Sequence, residues 1–227
     1  MLHHEQQVQA ELAELGLPAG LPVVWLKGEP SAAIIEHVER TGVELLIAGA
    51  LERESSGQHF LGTMARELLR KSHCSLLLFT QPRAEAQPFR EIVVFIDSSD
   101  NADTAFRDAL ALAELENASK LHVVSVLSPL SKALAEAESA GGADRQSAET
   151  EARLAELVRS ADGSPVTIET RVIASATGVG VSDFTRSIKA DLLVVPARQD
   201  GLPLLPPYMD WVLQVIPCNL WVVKAAA

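Results

Sequence analysis

The chain contains an internal repeat. "FLGTMARELLRKSHCSLLLF" occupies residues 60–79 and "LLPPYMDWVLQVIPCNLWVV" residues 204–223. Each runs from a loop through a short helical stretch to a cysteine and then an apolar strand. Cys218 stands where Cys74 stood (218 − 74 = 144). Further upstream, Glu44 in "ELLIAG" answers Asp191 in "DLLVVP" at a larger offset (191 − 44 = 147), so the loop after that strand is about three residues longer in the first copy. A repeat of this size limits the architecture before any motif is read, because each copy constrains the other.

In the second copy, "EIVVFID" (91–97) and "KLHVVSVL" (120–127) are short apolar runs of the kind that form buried strands. Between them, Ala102, Ala105, Phe106, Ala109, Leu110 and Ala113 share one helical stripe, with Ser99, Asp100 or Asn101 as the cap. A polar stretch from about 131 to 148, containing Gly141-Gly142, leads into the helical "AETEARLAELVRSA". "SPVTIETRVI" alternates more clearly and reads as a strand near an edge. Val181, Phe184 and Ile188 mark a short helix, and "DLLVVPA", "MDWVLQVI" and "NLWVVK" give strand, helix and strand. In the first copy, "VQAELAELGL" is a helix, "LPVVWLKG" (21–28) a strand, and "EPSAAIIEHVERTG" a helix with Pro30 in its first turn. "VELLIAGA", the helix opened by Gly62-Thr63 and the strand "SLLLF" complete it. The alternation predicts an α/β protein of two tandem Rossmann-like or flavodoxin-like parallel-sheet units, residues 1–80 and 90–227, joined by a linker at 81–89.

The first unit is shorter than the second. Asp97 ends the first strand of copy two, and its counterpart would fall about 50 positions before Met1 (97 − 147 = −50). Copy one thus lacks a first strand, a first helix and a second strand. The expectation is that the natural polypeptide begins about 50–60 residues upstream, or that another chain supplies those strands, since unpaired inner edges would cost about 1–3 kcal/mol per buried backbone group.

Bulk properties narrow the setting. A formal net charge of −11, without a basic cluster, argues against nucleic-acid binding. The apolar runs are far shorter than a membrane span, and "MLHHEQQVQAELAEL" has no signal-peptide pattern. Two cysteines without CxxC spacing fit a reducing cytoplasm, and packing is the better reading of both.

"VVFIDSS", "GEPSAAIIEHVERTGVELLIAG" and "LGTMARELLRKSHCSLLL" together resemble the universal stress protein family in its tandem form, over nearly the whole chain. The resemblance implies an adenine nucleotide alpha hydrolase-like fold, sheet pairing of the two units through their last strands, and homodimers in related proteins. It also implies ATP as the ligand of intact members, held by an Asp after the first strand and a G-x2-G-x9-G-[ST] loop after the fourth. Copy one carries Gly49-x2-Glu52-x9-Gly62-Thr63, with a carboxylate at the second glycine. Copy two keeps Asp97 but has Pro196 and Gln199 in the loop, then Pro206-Pro207. A phosphate cradle needs backbone N–H groups close to the anion, which glycine permits and proline denies. The nucleotide-binding candidates are therefore Gly49, Gly62, Thr63 and Asp97, with copy one degenerate and copy two expected not to bind. "ATGVGVSD" (176–183) imitates GxGxxG but reads as a turn. No HExxH, GxSxG or metal-ligand spacing occurs. The expected function is stress-related binding and regulation, involving a protein partner and no turnover. An ATP-binding switch or slow ATPase using the Gly49/Gly62/Thr63 loop is the alternative, and a regulatory region of a larger transporter or kinase a third.

Overall fold

A computed structural model of the chain describes residues 2–17, 21–53, 58–80, 87–99, 101–175, 179–197, 212 and 215–224. The first unit contains α1 (Leu2–Glu14), α2 (Pro30–Thr41), β1 (Leu45–Gly49), β2 (Leu51–Arg53), β3 (Gln58–Phe60), α3 (Thr63–Lys71) and β4 (Ser75–Phe79). The second contains β5 (Glu91–Phe95), α4 (Ala102–Leu115), β6 (Lys120–Leu127), α5 (Pro129–Glu138), α6 (Gly142–Ser160), β7 (Thr167–Ala174), α7 (Val179–Ser187), β8 (Leu192–Pro196) and β9 (Asn219–Val223).

Seven strands form one sheet in the order β1-β4-β9-β8-β5-β6-β7. Every pairing is parallel except β4 with β9, which is antiparallel. Side chains alternate between the two faces, so each strand feeds two cores. Ile92, Val94, Leu192 and Val194 meet α4 and α6 on one face. Leu76, Leu78, Val93, Val195, Leu220 and Val222 pack with residues of α3 and α7 on the other.

The central pairing has its own symmetry. Leu77 lies opposite Trp221, and these are counterparts at the offset of 144 (221 − 77 = 144). Leu76 faces Val222 and Leu78 faces Leu220, so a pseudo-two-fold axis passes between Leu77 and Trp221. The corners obey the same symmetry: the Lys224 N–H donates to Ser75 Oγ at 3.0 Å and the Thr80 N–H to Asn219 Oδ1 at 3.0 Å. Lys224 Nζ also donates to the carbonyls of Leu69 and Ser72 (2.5 Å for Ser72), at the carbonyl-rich C-terminal end of α3. Phe79 and Phe89 stack at 6.2 Å, pinning together the two ends of the linker. The expected meeting of "SLLLF" with "NLWVV" is thus the middle of the sheet.

Two expectations need correction, and the polar stretch at 131–148 gains a structure. Residues 21–28 are not a strand: they have no regular structure, and β1 is the outermost strand on that side. An extended segment without a hydrogen-bonding neighbour gains nothing from its apolar residues, which strands stabilise only through packing and pairing. The polar stretch at 131–148 is mostly helical, because Ser128 caps α5 by accepting from the Ser131 N–H and Pro129 starts that helix. Gly142 then lets α6 turn back tightly against α5. Within "ATGVGVSD" the chain is already α7 from Val179 onward, and residues 176–178 lie outside the described residues. Pro206-Pro207, Gln199 and most of "MDWVLQVI" lie outside them too.

Candidate functional site

Gly49, Gly62 and Thr63 converge at one end of the sheet. Gly49 ends β1 and is exposed, and the β2–β3 hairpin follows, pairing Leu51 with Phe60 and Glu52 with His59. Gly62 is the N-cap of α3 at φ −67°, ψ 165°, a conformation any residue adopts. Its lack of a side chain matters for space instead, since a Cβ there would meet Leu51 Cδ1 at 2.6 Å. Thr63 opens α3 with its side chain in solvent. The hairpin is held against the second unit, where the Ile216 N–H donates to the His59 carbonyl at 2.9 Å. The glycine loop is thus folded as a hairpin, with the Leu51 side chain seated against Gly62.

Asp97 belongs to the opposite end of the sheet. The antiparallel β4–β9 pairing makes the strands of the two units run in opposite directions, so the C-terminal ends of β1 and β5 face apart. Gly49, Gly62 and Thr63 therefore form no common site with Asp97. Asp97 Oδ1 accepts from the Ser99 N–H at 2.9 Å and from the Ser99 hydroxyl, which fixes the turn after β5. The buried Asn101 is the N-cap of α4, but its side chain donates to the Ala197 carbonyl, tying that turn to the end of β8.

Beside Asp97 opens a cleft of about 670 Å³. Its floor is the ends of β5 and β6, including Ser125, and its walls come from α4, α5 and α6. Three lining carboxylates (Asp97, Asp103 and Glu149) face a single lining guanidinium, Arg153, which is ion-paired with Asp103. Around them stand neutral hydrogen-bonding groups: Ser99, Ser128, Ser131, Gln146 and Thr150. The cleft therefore offers donors and acceptors to a polar molecule and a net negative field to an anion. Of these residues the sequence marks Asp97 as a binding candidate and Ser99 only as a possible helix cap. A signal for the rest was present, since Gln146, Glu149, Thr150 and Arg153 follow helical i, i+3, i+4, i+7 spacing and make a polar stripe on α6.

Neither cysteine suggests chemistry. Cys74 is buried, and burial pushes the Cys218 thiol well above its ordinary value, away from the nucleophilic thiolate. Among the described residues, no group of three or more His, Cys, Asp and Glu could hold a metal ion, and no helix is long and apolar enough to cross a membrane.

The universal stress protein family matches residues 2–80 and again residues 88–224. The chain belongs to that family. A universal stress protein from Archaeoglobus fulgidus is 18% identical, with a TM-score of 0.72 over 96% of this chain and 76% of its own. A structure described as a putative universal stress protein, from Pseudomonas aeruginosa, is 20% identical, with a TM-score of 0.62 over 98% and 77%. At such identities these universal stress protein structures establish the shared fold. No curated protein matches the chain significantly in sequence.

Proposed function

We propose that this chain is a regulatory, non-catalytic universal stress protein that binds the nucleoside part of an adenine nucleotide in the cleft beside Asp97, with little contribution from phosphate. The observation that carries this reading is the charge of the cleft: three carboxylates against one guanidinium already engaged by Asp103. A triphosphate entering there meets like charge, whereas a neutral base and ribose meet hydroxyls and amides. The reading revises the expectation that copy two does not bind nucleotide. The first unit's loop is degenerate on this view, with Glu52 in a glycine's place and Leu51 against Gly62.

Calorimetric titration with adenosine, AMP and ATP, with and without Mg²⁺, tests the proposal. Adenosine is expected to bind at least as tightly as ATP, and Mg²⁺ to change little. Asp97→Ala is expected to weaken adenosine about tenfold, or about 1.4 kcal/mol. ATP binding ten times tighter than adenosine and lost on Gly62→Val, or ATP hydrolysis sensitive to that substitution, would instead favour the switch or slow ATPase in the first unit.

A further inference from the structure

The cleft beside Asp97 has two unlike ends. Gln146 lies one turn beyond Gly142, where α6 turns back against α5, so it stands toward α5 with Ser128 and Ser131. Arg153 lies about 10 Å further along α6 by the helical rise and is ion-paired with Asp103 of α4. Glu149, between the two in the helix, is exposed. Among the lining residues, the α5 end is thus neutral and the α4 end charged. Hydroxyl hydrogens around the cleft are already committed. Ser99 donates to Asp97, Ser131 to the Ser128 carbonyl at 2.9 Å, and Thr150 to the Gln146 main-chain carbonyl at 2.9 Å. One acceptor is not engaged in this way. Among the described residues, nothing donates to Gln146 Oε1, although that atom is shut off from solvent. A buried carbonyl oxygen without a donor carries its full desolvation penalty, which an apolar side chain of similar size would avoid.

We infer that Gln146 selects the base of the bound nucleoside, its Oε1 accepting a hydrogen bond from the 6-amine of adenine. The inference rests on the reading of the cleft as a nucleoside site, and it names the group that discriminates among nucleosides there. A glutamine amide presents a carbonyl oxygen beside an NH2, the pattern that matches adenine's amine and its neighbouring ring nitrogen. A 6-keto purine brings a carbonyl oxygen against Oε1 instead, two acceptors with no hydrogen between them. A purine without any 6-substituent leaves Oε1 as it was. Because Oε1 is already out of solvent in the free protein, an amine that reaches it gains a bond without first stripping water from the oxygen. A base at the neutral α5 end also directs the ribose hydroxyls, which are donors, toward the carboxylates of Asp97 and Asp103.

Calorimetric titration of the full chain with adenosine, inosine and purine riboside, which has a hydrogen in place of the amine, tests this. Adenosine is expected to bind about tenfold tighter than either of the others. Gln146→Met, similar in size but without the oxygen, is expected to bring all three within about twofold of one another. Gln146→Glu, which keeps an oxygen in place, is expected to retain the preference. The thermal midpoint of the Gln146→Met protein without ligand is expected not to fall, since no protein group loses a partner. Equal affinities for adenosine and purine riboside in the parent protein overturn the inference, as does a preference that survives Gln146→Met or is lost in Gln146→Glu. A lowered midpoint overturns it too, because the protein itself would then be using the amide. If Asp97→Ala weakens adenosine while Gln146→Met leaves the selectivity intact, this inference alone fails. If adenosine does not bind, or binds regardless of Asp97→Ala, the reading of the cleft fails and this inference with it.

Discussion

Gly142 and Ser31 show how single residues fix the packing of neighbouring helices. A Cβ on Gly142 would sit 1.9 Å from the Ala135 carbonyl oxygen, a backbone atom that cannot swing aside. Gly142→Ala must therefore push α5 and α6 apart, at about 1–3 kcal/mol. Urea melts are expected to show a lowered midpoint, and an unchanged one would mean that the helix turn is more open than described. In the first unit, the buried Ser31 hydroxyl lies 2.6 Å from Glu29 and 2.6 Å from Glu67, so one proton serves two carboxylates in turn and links α2 to α3. Hydrogen bonds from the Ser31 hydroxyl and from the N–H groups of Ala32 and Ser31 hold the Glu29 carboxyl below its ordinary value. Lys71 and then Ser31 do the same for Glu67. A depressed carboxyl pKa contributes stability above the unfolded value, and that contribution disappears as pH falls through the folded one. Carboxyl NMR titration is expected to find both groups below the ordinary glutamate value, and Ser31→Ala to raise both.

The elements differ in how far local sequence decides them. β7 and residues 21–27 are counterparts, yet only β7 is a strand, because only β7 has a neighbour to pair with. Alternation and composition report what a segment can do, whereas pairing is decided elsewhere in the chain. The repeat, the parallel strands and the meeting of β4 with β9 were legible, since apolar runs and edge positions carry that information. The cleft was not, because its lining comes from five elements and its mark on α6 is polarity where apolar residues are expected. At the β4–β9 junction, Leu77→Pro or Val222→Pro removes an N–H from the ladder and leaves buried partners unsatisfied, at roughly 2 kcal/mol or more. Either variant is expected to lower the unfolding midpoint. Equal midpoints for variant and parent would mean that the two strands contribute no cohesion.

Across the whole molecule, the two units are unequal partners about a near-symmetric seam. Among the described residues, 90–227 give the seven-stranded sheet five strands and 1–80 give it two, one of them bare along its edge. Expressed alone, 1–80 are expected to melt without cooperativity. Residues 90–227 are expected to fold and to dimerise through β9, with Trp221 against its own mate, a state that sedimentation distinguishes from a monomer. The seam itself has a further consequence. A dimer joined this way falls apart on dilution, but here a short linker tethers the strands, so an opened seam faces its other half at roughly millimolar effective concentration. Reclosure is then independent of how many molecules surround it. A cell holding only a few copies of this protein would still hold them intact, where a pair of separate chains would be found mostly as halves.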